Sequence, residues 1–99
     1  MPQWQVVIHP LVLEEDFKKI SRGIQQEIIK SIRKKLAVDP QAYGEPLRGD
    51  YKDYWKLRVG DFRVIYRMDK NQLFVLVIKI GIRRDYQVYK ELSSRLRKI

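Results

Sequence analysis

Two hydrophobic periods alternate along the chain. In residues 3–9 the apolar side chains Trp4, Val6 and Ile8 recur at every second position, which predicts a strand closed by Pro10. Leu13, Phe17 and Ile20 follow at i, i+4 and i+7 and predict one face of a helix. A second helix is predicted from about Arg22, with Ile24, Ile28, Ile32 and Leu36 in steps of four and Ile29 beside them; Asp39-Pro40 ends it. "DPQAYGEPLRGD" carries two prolines and two glycines and reads as a connecting loop. The period of two returns in residues 54–59, 62–68 and 73–80, separated by Gly60-Asp61 and by a turn over residues 69–72. From about Tyr86, Val88, Leu92, Leu96 and Ile99 line one side of a closing helix. The order β-α-α-β-β-β-α predicts a single α+β domain over residues 1–99. It has an N-terminal strand, a two-helix hairpin, a three-stranded antiparallel meander and a C-terminal helix, with an antiparallel sheet beneath the helices.

Pairing across Gly60-Asp61 sets Val59 against Phe62, Arg58 against Arg63, Leu57 against Val64 and Lys56 against Ile65. A next turn pairing Met68 with Leu73 then gives one apolar face, from Trp55, Leu57 and Val59 through Phe62, Val64 and Tyr66 to Val75 and Val77. That face belongs under the N-terminal helices. The opposite face carries Tyr54, Lys56, Arg58, Arg63, Ile65 and Arg67, followed by Phe74, Leu76 and Ile78. Its apolar part needs a cover, which the amphipathic C-terminal stretch or a partner segment would supply. Arg58 opposite Arg63 is a like-charge pair, and such pairs cost up to about 1 kcal/mol. Few carboxylates in these strands could neutralise it, Asp61 being in the turn, so the cluster points to an external anion.

Charge distribution strengthens that reading. The net charge is +9; residues 1–50 hold 8 Lys/Arg against 7 Asp/Glu, and residues 51–99 hold 13 against 5. A basic field confined to one half of a chain attracts a polyanion, with nucleic acid the first candidate. There is no cysteine, hence neither a disulfide nor thiolate chemistry. The longest apolar run, residues 73–78, is far too short to span a bilayer, and the N-terminus lacks the pattern of a signal peptide, so a cytoplasmic protein without membrane contact is expected. Glu14, Glu15 and Asp16 suit the start of a helix dipole better than a metal site. Arg33, Lys34 and Lys35 suit a helix end. His9 reads as structural or solvated.

"LRG" at Leu47-Arg48-Gly49, the hairpin "YWKLRVGDFRVIY" and "IGIRRDYQVY", in this order of elements, resemble the RelE/ParE toxin superfamily, and the RelE-like branch above all. The resemblance covers nearly the whole chain. It implies a toxin of a type II toxin–antitoxin system that acts as a ribosome-dependent mRNA endoribonuclease, without metal or cofactor. Its partners would be mRNA in the ribosomal A site and a cognate antitoxin, held in a toxin–antitoxin hetero-oligomer. It also implies catalytic positions: Arg63 on the phosphate, Lys56 as one of the family's lysines, Arg83 after the glycine of the last strand, and Tyr89 stacking on the cleaved nucleotide. Tyr54, Arg58, Arg67, Arg84 and Lys52 are the expected RNA contacts. Two positions depart from the pattern: Tyr54 stands where a second lysine is usual, and Ile82 where many relatives have a histidine.

Cleavage through the RNA's own 2′-OH needs a base, cations for the extra charge on phosphorus, and an acid for the leaving 5′ oxygen. Lys56 is the candidate base or a phosphate contact. Arg63 and Arg83 suit the forked contact to phosphate oxygens. An acid role for Arg83 is implied by the resemblance alone, because a guanidinium holds its proton tightly. Two other functions compete: a ParE-like inhibitor of DNA gyrase without RNase activity, and an inactive RNA-binding module.

Overall fold

The computed structural model describes residues 3–82 and 85–99, without the side chains of Asp85, Tyr86 and Val88. Five strands form one sheet in the order β1-β5-β4-β3-β2: β1 (Gln5–Ile8), β2 (Glu45–Pro46), β3 (Trp55–Val59), β4 (Phe62–Asp69) and β5 (Phe74–Ile82). β3, β4 and β5 are the expected antiparallel meander. β1 lies parallel to β5, so the sheet is mixed rather than antiparallel throughout. Its chain returns to β5 only after the helices and the meander have been laid down.

The N-terminal helices pack on one sheet face, but the first does not wind as its spacing predicted. Val12–Asp16 is a wide π-helical turn, and Phe17–Lys19 continues as a tight 3-10 turn. The altered winding buries Val12 and Asp16 beside Phe17 and Ile20 and leaves Leu13 51% exposed, against the expectation for Leu13. The Gln25 side-chain amide donates to the carbonyls of Phe17 and Ile20, both at 2.7 Å, and satisfies acceptors that this helix end leaves open. α1 (Arg22–Ser31) runs on into a second π-helical turn, Ile32–Leu36. Ile28, Ile32 and Leu36 are buried as expected; Ile24, in the first turn, is exposed. His9 is structural: its Nδ1 accepts the Leu11 amide at 3.1 Å where β1 turns into the helix.

The segment read as a plain loop has structure of its own. α2 (Pro40–Tyr43) is capped by Asp39, whose carboxylate accepts the Ala42 amide. β2 then pairs with β3, and a 3-10 turn follows at Gly49–Tyr51. The segment is bolted to the core by Tyr66, fully buried, whose hydroxyl donates to the Pro40 carbonyl at 2.6 Å. Burial, helped by the charge of Asp39, pushes the Tyr66 hydroxyl well above the ordinary tyrosine range. The chain passes so close here that a side chain at Gly44 would run into the Tyr66 hydroxyl.

The pairing of β3 with β4 is the expected one, Arg58 opposite Arg63 included. That of β4 with β5 is two residues out at the turn: Met68 pairs with Val75, not Leu73. Asp69 still belongs to β4, its carboxylate accepts the Asn71 and Gln72 amides, and Leu73 takes a left-handed φ of 51°. A slip of two preserves the faces, so Val75 and Val77 remain in the core. A bulge between Ile65 and Tyr66 then shifts the register once more. The main core joins the helices to Leu57, Val64, Tyr66, Val75, Val77 and Ile80. On the other face, Leu47, Ile65, Ile78 and Leu92 form a smaller cluster beneath α3 (Asp85–Leu96). The C-terminal helix is thus the cover that the sequence required, although Ile99 lies beyond it and is exposed.

Candidate functional site

Face and register bring together three of the expected cations. Lys56 is half-buried and Arg58 exposed, and both share the α3 side of the sheet with Arg63. Arg63 differs from the exposed phosphate ligand that its sequence position suggests: it is 3% exposed. It pairs with Arg58 on one side and Gly81 on the other, where α3 crosses the sheet. Arg67 is exposed farther along β4, beyond the end of the apolar cluster. Arg83 and Arg84 lie outside the described residues.

Tyr89 sits in the first half of α3, half-buried against Leu47, Ile65, Ile78 and Leu92. Its hydroxyl accepts the Arg48 main-chain amide at 3.2 Å, and its ring lies 5.9 Å from that of Tyr51, tilted by 38°. Tyr54 packs on the same cluster and is half-buried. Lys52 is exposed on the turn between Tyr51 and Tyr54. The "LRG" turn, β3 and α3 therefore frame one surface on which cations and tyrosines alternate. Single-stranded nucleic acid is bound by such surfaces, through phosphate attraction and base stacking.

α3 is fixed to the rest of the molecule by charges that local spacing does not reveal. Arg95, 3% exposed, donates from Nη2 to Asp16 at 2.8 Å and Glu15 at 3.0 Å, and from Nη1 to Asp16 and to the Ile78 carbonyl, both at 3.0 Å. Asp16, equally buried, also accepts from Lys79 and from the Ile80 amide, both at 2.9 Å. The acidic trio was expected to serve the helix dipole. Glu14 is exposed and free to do so, but Asp16 and Glu15 bind α3 instead. A hydrogen bond from Lys98, joined by the charges of Lys98 and Arg95, holds the Glu15 carboxyl below the usual carboxylate range against the opposing effect of desolvation. The one signal of this network in the sequence is Arg95 itself, a cation on the helix face that carries Leu92.

A cleft of about 220 Å³ opens beside this network at the end of β5, lined in part by Asp16, Lys79, Gly81, Ile82 and Glu91. It adjoins the Arg63–Gly81 pair but takes in neither Lys56 nor Tyr89. Among the described residues, no helix is long and apolar enough to cross a membrane.

Comparison with known proteins places this geometry in context. The family model described as "ParE toxin of type II toxin-antitoxin system, parDE" matches residues 6–86. A RelE-like toxin protein of Escherichia coli is 34% identical over 97 residues, which cover 96% of this chain and 99% of that protein. Among solved structures, the toxin–antitoxin complex RelBE2 of Mycobacterium tuberculosis superposes with a TM-score of 0.76 at 22% identity, over 82% of this chain and 99% of that one. A variant of E. coli toxin RelE in the free state gives 0.70 at 21% identity, over 94% and 97%. These two likenesses establish the fold.

Proposed function

Because the chain belongs to the RelE/ParE family of type II toxin–antitoxin toxins, we propose that it is a ribosome-dependent endoribonuclease that cuts mRNA in the A site. The observation that carries this reading is the pairing of Arg58 with Arg63 beside Lys56, on the face that also holds Tyr89. Three cations on one strand pair suit the phosphates of a single-stranded RNA, and the tyrosine beside them suits a base. In the reaction the 2′ oxygen attacks phosphorus and gives its proton to Lys56. The new P–O bond forms as the bond to the 5′ oxygen breaks. Arg63 and Arg83 carry the charge on the phosphoryl oxygens, and Arg83 supplies the proton to the leaving oxygen. Tyr89 stacks on the base next to the cut.

Arg63 is covered in this structure, so a phosphate reaches it only after the α3 side of the sheet rearranges. Among the described residues the site has no strong acid–base pair, which supports a substrate geometry imposed by the ribosome. The partner in the cell is a cognate antitoxin. A variant of E. coli toxin RelE, 25% identical to this chain, has been solved in complex with an antitoxin peptide, which supports an antitoxin partner here.

The test is cleavage of a defined mRNA with and without translating ribosomes. Cutting that needs the ribosome, and that Arg83→Ala abolishes, is expected; efficient cutting of free RNA, or an Arg83→Ala variant of full activity, would sink the reading. A second reading, inhibition of DNA gyrase, is favoured by Tyr54 in place of a second lysine and by the ParE name of the matching family. Loss of gyrase supercoiling without mRNA cleavage would establish it instead.

A further inference from the structure

The turn over residues 47–54 contributes more than its two exposed cations. Leu47, buried, anchors it, and the Leu47 amide donates to the Tyr54 carbonyl at 2.8 Å, closing the turn at its base. Within it Gly49 takes a φ of 66°, a conformation other residues rarely adopt, and the 3-10 turn Gly49–Tyr51 follows. The Tyr54 amide donates to the Tyr51 carbonyl at 2.9 Å, which ties Tyr51 into the closed turn. The result brings two groups of this turn to Tyr89: the Arg48 amide to its hydroxyl, and the Tyr51 ring to 5.9 Å from its own, tilted by 38°.

From this geometry we infer that Tyr51 is a positioning residue for Tyr89, the two rings forming one side of a slot for an RNA base. The inference rests on the endoribonuclease reading and deepens it. A tyrosine on a helix surface has rotamers to choose from, and ordering it on a base costs entropy at each encounter. Tyr89 meets that cost in advance, because the Arg48 amide fixes its hydroxyl and Tyr51 limits its ring. Arg48 and Lys52, both exposed on the same turn, are placed for the phosphates on either side of the stacked base. A ring pair in the dry core would need no such cations beside it. Here the pair lies half-buried at the rim of the small cluster, where a planar ligand has access.

The experiment measures ribosome-dependent cleavage by wild type, Tyr51→Leu, Tyr51→Phe, Tyr89→Ala and the double variant Tyr51→Leu/Tyr89→Ala, with thermal melting of each. Tyr51→Leu is expected to lower kcat about tenfold with little change in KM or melting, since a misplaced group loses rate more than binding. Tyr51→Phe is expected to match wild type. On the Tyr89→Ala background, the leucine substitution is expected to cost nothing further, because residues that act as one unit are not additive. Unchanged kcat for Tyr51→Leu, or an equal further loss in the double variant, would overturn the inference. A second measurement is independent of cleavage: fluorescence of a trinucleotide carrying 2-aminopurine, quenched by stacking. Quenching by wild type at least threefold greater than by Tyr51→Leu is expected. Equal quenching, or none with wild type, overturns the slot. A protein that cuts no ribosome-bound mRNA yet shows Tyr51-dependent quenching sinks the endoribonuclease reading and leaves the slot standing.

Discussion

The two faces of the sheet are held by different physics. Under the N-terminal helices, twelve of the described residues, all buried and apolar or aromatic, meet in one core from the helices and the sheet. Hydrophobic burial of this kind is indifferent to direction and forgiving of small shifts. Under α3 four buried apolar residues form the cluster among the described residues, and beside them buried Arg95 and Asp16 interlock with half-buried Lys79. Desolvating such charges nearly cancels their attraction, so the network adds little net stability but fixes where α3 lies. One face keeps the fold, and the other keeps a helix in register over the candidate site. The difference teaches how one sheet can carry a stable scaffold on one face and a precisely placed helix on the other.

The largest expected effect separates the two faces. Asp16→Ala leaves Arg95 buried without its main acceptor and should cost about 3–5 kcal/mol in chemical denaturation. Hydrogen exchange should show α3 opening before the core in this variant; simultaneous exchange of both would break the comparison. Tyr66→Phe tests the core side. It removes the donor to the Pro40 carbonyl and should cost about 1–3 kcal/mol, with α3 protection unchanged.

Extremes of pH should then act on opposite faces. Glu15 has a lowered carboxyl in the folded state, so its contribution is present above the ordinary carboxylate range and lost as pH falls through its folded value. Tyr66 has a raised hydroxyl, so its contribution is complete below the ordinary tyrosine range and lost as pH rises beyond it. Acid should therefore loosen α3 first, and alkali the core; the reverse order, read by exchange at each limit, would contradict the assignment. The smallest effect is a gain. Arg58→Ala removes the like-charge neighbour of Arg63 and should stabilise the fold by about 0.2–1 kcal/mol while weakening cleavage. A loss of stability would mean that the pair carries no strain.

Much of this was legible in the sequence wherever a short period or a tight turn fixes geometry. Two central residues at Gly60-Asp61 leave one register for β3 and β4, and alternation does the rest. The next turn has four residues, an aspartate cap and a left-handed Leu73, and its register came out two residues away. α2 and β2, four and two residues long, are too short to show any period. The site was legible as a set of residue types on one face. The burial of Arg63 was not, because it depends on where α3 lands. That is decided by Asp16 and Arg95, 79 positions apart, and no local pattern couples them. Tyr51 escaped notice for the same reason: its partner, Tyr89, lies in another element.

The parallel pairing of β1 with β5 carries a consequence for the protein's own birth. The first strand emerges from the ribosome with Trp4, Val6 and Ile8 ready to pack, yet its only strand partner is the last one made. Closing so long a loop is slow, and it waits on the synthesis of β5. The bonds of Arg95 to Asp16 come later still. A protein proposed to act on ribosomes thus cannot complete its own sheet until residues 74–82 have followed the first strand out of the ribosome.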